Sequence, residues 1–194
     1  MGTYTPATAL VVVDCQNDFA DPDGSLYVSG GEEVVAAVNG EIVKALAGGA
    51  AVFYTQDWHP ETTPHFQKDG GIWPVHCVAG SWGAAFHPRL LVAGSTVRKG
   101  VGGEDGYSGF TMSDAVSGEK TPTRLEELVG ATGASHIVVV GLALDYCVKA
   151  TALDAVALGH PTRLVSSATA AVELSAGDGD AAASELAAAG VAID

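Results

Sequence analysis

Short uninterrupted apolar runs recur along the chain, each followed by enough residues for one helix. Ala9 to Val13 is such a run, rich in Val and closed by Asp14, the pattern of a strand buried on both faces. Ala50 to Tyr54, Ser95 to Arg98, His136 to Leu142 and Pro161 to Ser166 read as further strands, with Val191 to Ile193 as a last one. Between them the period changes. Val35, Val38, Ile42 and Leu46 recur at helical spacing, and Leu125 to Val129 follows Thr121-Pro122, which reads as a cap and first-turn pair. Tyr146 to Leu158 and Ala181 to Ala189 complete an alternation of strand and helix. The alternation predicts an α/β fold of three layers, α/β/α, with a mainly parallel central sheet.

Two stretches break the rhythm. Asp57 to Arg89 is long, aromatic and rich in Pro and His, without a clear period, and a loop of that length inside a compact domain is usually functional. Gly100 to Gly109 carries five glycines, which permit a tight path close to a ligand. Both follow predicted strands.

Composition narrows the class of function. With 9 Lys and Arg against 23 Asp and Glu, the 194-residue chain has a formal charge of -14. So few cations argue against nucleic acid or an anionic membrane as partner. Hydrophobic residues at 47% and charged residues at 16% suit one globular domain over residues 1–194, and no apolar stretch is long enough to span a bilayer. Met1 to Leu10 lacks the positive charge and long apolar core of a secretory leader, and Cys15, Cys77 and Cys147 are odd in number and far apart. A reducing cytoplasm and small-molecule chemistry are the expectation.

In an open parallel sheet, ligands bind beyond the carboxyl ends of the strands. Asp14, Asp57 and Lys99 fall at or just past three such ends, and Cys147 follows the fourth after a short connection. Cys147 is expected at the start of a helix, where free N–H groups and nearby Lys99 would favour a thiolate below its usual pKa of about 8.5. Asp14 could take the thiol proton and pass it to a leaving amine. Taken singly, each residue has a plainer reading: Cys147 as a small buried hydrophobe, Asp14 as a strand-end cap, Lys99 as a solvated cation. Their convergence favours chemistry. Asp57, His59, His65 and His76 put one carboxylate and three imidazoles on the irregular loop, a donor set for zinc, iron or manganese with positions left for water or substrate. His87, His136 and His160 read as structural or surface residues, and Cys77 and Cys15 as packing.

The segments Val13-Asp14-Cys15-Gln16-Asn17-Asp18-Phe19, Asp57-Trp58-His59, Trp73-Pro74-Val75-His76-Cys77, Lys99-Gly100, Tyr107-Ser108-Gly109-Phe110 and Gly141-Leu142-Ala143-Leu144-Asp145-Tyr146-Cys147-Val148 together closely resemble the bacterial nicotinamidase/pyrazinamidase family. That family belongs to the isochorismatase-like hydrolases, and the likeness runs in order from about Ala9 to Thr169. The resemblance implies hydrolysis of nicotinamide, and of pyrazinamide, through a cysteine thioester. It makes Cys147 the nucleophile, Asp14 the proton carrier and Lys99 the third member of the triad. It makes Asp57, His59, His65 and His76 the ligands of one divalent metal ion that orients the pyridine ring. Phe19, Trp73 and Tyr107 become the aromatic wall of a slot for a small aromatic amide. It further implies a cis peptide before Ala143 and an oxyanion hole from the N–H groups of Ala143 and Cys147.

Two rival readings remain at the level of sequence. One is another hydrolase of the same superfamily, acting on a different small amide or a vinyl ether; such relatives generally lack the Asp-x-His loop. The other is a metal-binding regulatory or storage protein, against which the intact Asp14, Lys99 and Cys147 set speaks.

Overall fold

The structure, a computed structural model, describes residues 4–194. Met1 to Thr3, part of the amino-terminal stretch expected to be no secretory leader, lie outside the described residues. From the amino end the chain forms β1 (Thr8–Val13), a single helical turn α1 (Asn17–Ala20), α2 (Gly31–Ala47) and β2 (Ala51–Asp57). The long loop follows, then β3 (Ser95–Lys99) and two short strands β4 (Thr111–Ser113) and β5 (Lys120–Pro122). The rest comprises α3 (Leu125–Thr132), β6 (His136–Leu142), a π-turn at Leu144–Val148 running into α4 (Lys149–Ala157), β7 (Thr162–Ala170), α5 (Asp178–Ala188) and β8 (Ala192–Ile193).

Six strands form one sheet in the order β3-β2-β1-β6-β7-β8, and each pairing is parallel. β1 is buried along its whole length, and its alternate residues serve two cores. Leu10 and Val12 pack toward Val35, Val38 and Ile42 of α2. Ala9, Val11 and Val13 pack toward Leu125 and Val129 of α3, Ala152 and Ala155 of α4, and Leu186 of α5. A strand covered on both faces needs apolar residues on both, which is why its sequence shows a continuous run and no alternation.

The chain leaves β1 by the face carrying α2 and leaves β6 by the face carrying α4, so the two central neighbours diverge at their carboxyl ends. That divergence opens the crevice in which open α/β sheets bind ligands. At its floor Gly141 has a φ of 113°, and a Cβ there would lie 2.0 Å from the carbonyl oxygen of Val13. Only glycine allows β1 and β6 to approach so closely at this level.

Three expectations need correction. Thr121 and Pro122 do not open α3: they lie in β5, which pairs antiparallel with β4, and the Thr123 hydroxyl accepts the Leu125 N–H at 3.0 Å instead. Leu46, placed on the apolar face of α2, is 48% exposed, because the inward stripe ends with Ala45. The segment from Tyr146 begins as the π-turn, and regular helix starts only at Lys149. Among the described residues, no helix is long and apolar enough to cross a membrane.

Candidate active site

Asp14, Asp57 and Lys99 are brought together behind Cys147 by adjacent strand ends. Asp14 follows β1 with a left-handed φ of 46°, which turns the chain away from the strand. Asp57 and Lys99 are register partners at the ends of β2 and β3. The Lys99 ammonium, fully buried, lies 2.7 Å from Asp14 Oδ2, is ion-paired with Asp57 Oδ1, donates to the Gly106 carbonyl and stands 3.5 Å from Cys147 Sγ. Asp14 Oδ1 accepts from the Thr55 hydroxyl at 2.6 Å. Burial alone would pull the ammonium pKa down, but the two carboxylates reverse it and hold the charge firmly.

Burial raises the Asp14 carboxyl to about 6 against the pull of Lys99. It also pushes the Cys147 thiol up, again outweighing Lys99. This setting works against the expected thiolate. Cys147 sits inside the π-turn, 7% exposed and near two carboxylates, where a neutral thiol is favoured.

The residues after Asp14 are structural stitches. Gln16 accepts from the Asp57 N–H at 2.8 Å and donates to the carbonyls of Asp57 and Ala84 at 2.8 and 2.9 Å. Asn17 donates to the Trp82 carbonyl, and Asp18 accepts from Cys77 N–H at 2.6 Å and from Ser25 N–H. Three consecutive polar residues thus tie the long loop to the end of β1. The loop lacks a period because its order comes from these side-chain bonds.

The loop delivers three imidazoles to one point. Ligand atoms of His59, His65 and His76 lie within 4.8 Å of one another, and all three residues are buried. Asp57 Oδ2 lies 3.8 Å from His59 Nε2 and 3.9 Å from His76 Nε2, so the predicted fourth group borders the cluster. Burial lowers the His59 pKa to about 4 and lowers that of His76, both against the opposing charge of Asp57, leaving neutral rings with free lone pairs. His59 is fully buried and, among the described residues, neither ring nitrogen has a hydrogen-bond partner. Such an orphan costs about 1–3 kcal/mol unless something fills it. A divalent cation would, and the donor set suits a borderline metal.

Phe19, Trp73 and Tyr107 line one narrow cavity of about 30 Å³ with His65, His76, Asp57, Ala143 and Cys147. The Trp73 indole N–H donates to the Tyr107 hydroxyl at 2.8 Å, bracing the wall. The Leu142–Ala143 peptide is cis.

Comparison with known proteins bears on this constellation. Residues 8–193 match the isochorismatase domain. The chain belongs to the isochorismatase family. Its relatives in that family include the nicotinamidase of Escherichia coli, 33% identical over 97% of this chain and 94% of the relative. The pyrazinamidase of Pyrococcus horikoshii, solved in complex with zinc, superposes with a TM-score of 0.86 at 35% identity, covering 97% of this chain and 99% of that one. The PnC1 protein of L. infantum, solved in complex with nicotinate, gives 0.88 at 36% identity over 100% and 95%.

Within this isochorismatase fold the slot has walls that sequence reasoning missed. Leu26, Tyr146 and Val172 also line it. Tyr146 meets Trp73 edge to face at 4.7 Å, and its position next to Cys147 was the available signal. Val172 is held by Asp145, whose carboxylate accepts the N–H groups of Val172 and Glu173 at 2.9 and 3.0 Å. Asp105, on the glycine-rich segment, contacts His65. His87 and Cys15 are buried, while His136 is exposed and bonded to Ser135, and His160 pairs with Glu126, all away from the slot. Cys77 is buried among apolar residues.

Proposed function

We propose that the protein is a nicotinamidase, hydrolysing nicotinamide to nicotinate and ammonia, and that it accepts pyrazinamide by the same route. One observation carries the reading: Cys147, backed by Asp14 and Lys99, opens on the same slot as a buried cluster of three imidazoles. A cysteine hydrolase needs only the first group. A heteroaromatic amide with a ring nitrogen uses both.

The substrate ring lies in the slot between Phe19, Trp73 and Tyr107, with its carboxamide toward Cys147. Sγ bonds to the carboxamide carbon while the thiol proton passes to Asp14, kept within reach by Lys99. The N–H groups of Ala143 and Cys147 stabilise the oxyanion. Asp14 returns the proton to the amine as the C–N bond breaks, and ammonia leaves. Water then adds to the thioester, releasing the carboxylic acid and restoring the thiol. His59, His65 and His76, with Asp57, would hold a zinc, iron or manganese ion, which supplies a Lewis-acid anchor for the ring nitrogen.

Residues 1–194 act as one catalytic domain in this reading, with the metal loop at 57–89. The three cysteines are free and buried, which suits work in a reducing cytoplasm. The decisive assay is ammonia release from nicotinamide by purified protein, with and without a chelator, beside Cys147→Ala. Turnover in the native protein and a loss of about 10⁴-fold or more in the variant are expected. Equal turnover by a folded Cys147→Ala would remove the cysteine mechanism.

A further inference from the structure

The loop between β3 and β4 reaches the imidazole cluster. Gly100, with a φ of 72°, passes so close to His59 that a Cβ would lie 2.6 Å from the ring. Five residues on, Asp105 Oδ1 lies 2.5 Å from Nδ1 of His65. The backbone of Asp105 is fixed in turn, since its N–H donates to the Ser113 carbonyl at 2.7 Å and its carbonyl accepts the Ser113 N–H at 3.0 Å. The β4–β5 pair, which has no part in the main sheet, therefore braces this one carboxylate.

We infer that Asp105 is the positioning residue for His65 as a metal ligand, and that it supplies much of the negative charge a divalent ion needs at this site. The inference rests on the metal reading above and extends it to a residue outside the donor set. With Nδ1 donating to Asp105, the lone pair of His65 is confined to Nε2, and the paired carboxylate makes that nitrogen a better donor. The neighbouring imidazole is oriented by a weaker acceptor, as His76 Nδ1 lies 2.8 Å from the Pro74 carbonyl. Asp57, the carboxylate bordering the cluster, shares its charge with the Lys99 ammonium. Asp105 is not paired with any lysine or arginine among the described residues, and its side-chain partner is the His65 ring. Its anionic charge is thus free to be felt through the ring.

The test is zinc affinity, measured on metal-free protein by titrating zinc against a chromogenic chelator. D105N keeps the size and the backbone bonds but loses the charge, and is expected to bind zinc about 10- to 100-fold more weakly. D105E should stay within a few-fold of wild type, E104Q should match it, and H65A should lose at least as much as D105N. Thermal unfolding of metal-free D105N should match that of the metal-free parent. Wild-type zinc affinity in D105N alongside a weakened H65A would overturn the inference and leave the metal site standing. A D105N whose lost affinity is accompanied by an equal loss of metal-free stability would overturn it in favour of a purely structural role. Wild-type affinity in H65A as well would overturn the metal reading and this inference together.

Discussion

The two polar clusters that flank the slot differ in one respect. Lys99 is surrounded by complete partners, with two carboxylates, a carbonyl and a thiol all within reach. His59, equally buried, has none on either ring nitrogen among the described residues. Buried charge survives in a protein when it is paired, and buried polarity when it is bonded. The first cluster meets that demand from the chain's own groups, while the second would meet it with a bound cation. Folding and catalysis should therefore depend on the two clusters in different ways.

The largest break falls on the complete cluster. Lys99→Met leaves Asp14 and Asp57 as uncompensated buried carboxyls, which should cost about 3–5 kcal/mol of stability. Denaturant unfolding measures it, and activity should fall with it. A stability change below about 1 kcal/mol would mean that the carboxyls carry no charge.

The incomplete cluster should answer to metal instead. Zinc at about a hundred times its Kd should stabilise the native protein by about 2.7 kcal/mol through mass action. His59→Ala should lose that gain, read as the absence of a zinc-dependent rise in Tm. If zinc raised the Tm of both proteins equally, the histidines would not be the site.

Smaller again is the pH response. Asp14 must be ionised to take the thiol proton, and burial holds its carboxyl up at about 6. Base catalysis is present above that pKa and is lost as pH falls through it, so kcat/KM should drop about tenfold per unit below that point. An acid limb beginning near 4 would show that another group takes the proton. Least of all, Tyr107→Phe should raise KM about fivefold, because the Trp73 indole loses its acceptor at a cost of about 1 kcal/mol. An unchanged KM would remove the Trp73–Tyr107 bond from substrate binding.

Much of the fold was legible because strands buried on both faces leave an unmistakable trace, as Ala9 to Val13 does. β7 runs on to Ala170 beyond the expected Ser166, since its last residues, Ser167 and Thr169 among them, are polar and carry no apolar signal. The β4–β5 pair was invisible for the same reason, and Thr121-Pro122 offered a helix cap that the antiparallel pairing overrode. At the site, reactive residue types stood out wherever topology placed them at strand ends. Asp105 did not, being one of 23 acidic residues on an acidic chain, and its meaning depends on a partner 40 positions away. Gln16, Asn17 and Asp18 stand out in the sequence as part of a motif, yet only the fold shows that they fasten a loop.

Gly141 gives the strand ends a mechanical meaning. Asp14 leaves β1 one residue past Val13, and the turn carrying Cys147 leaves β6 just after Gly141, its register partner. In the proposed mechanism the glycine acts as a spacer of zero thickness between the two strands that carry the acid and the sulfur. Any side chain there would be a wedge driven between acid and sulfur, widening their gap without touching either. The spacing of the proposed acid and nucleophile thus depends on a residue that has no functional group at all.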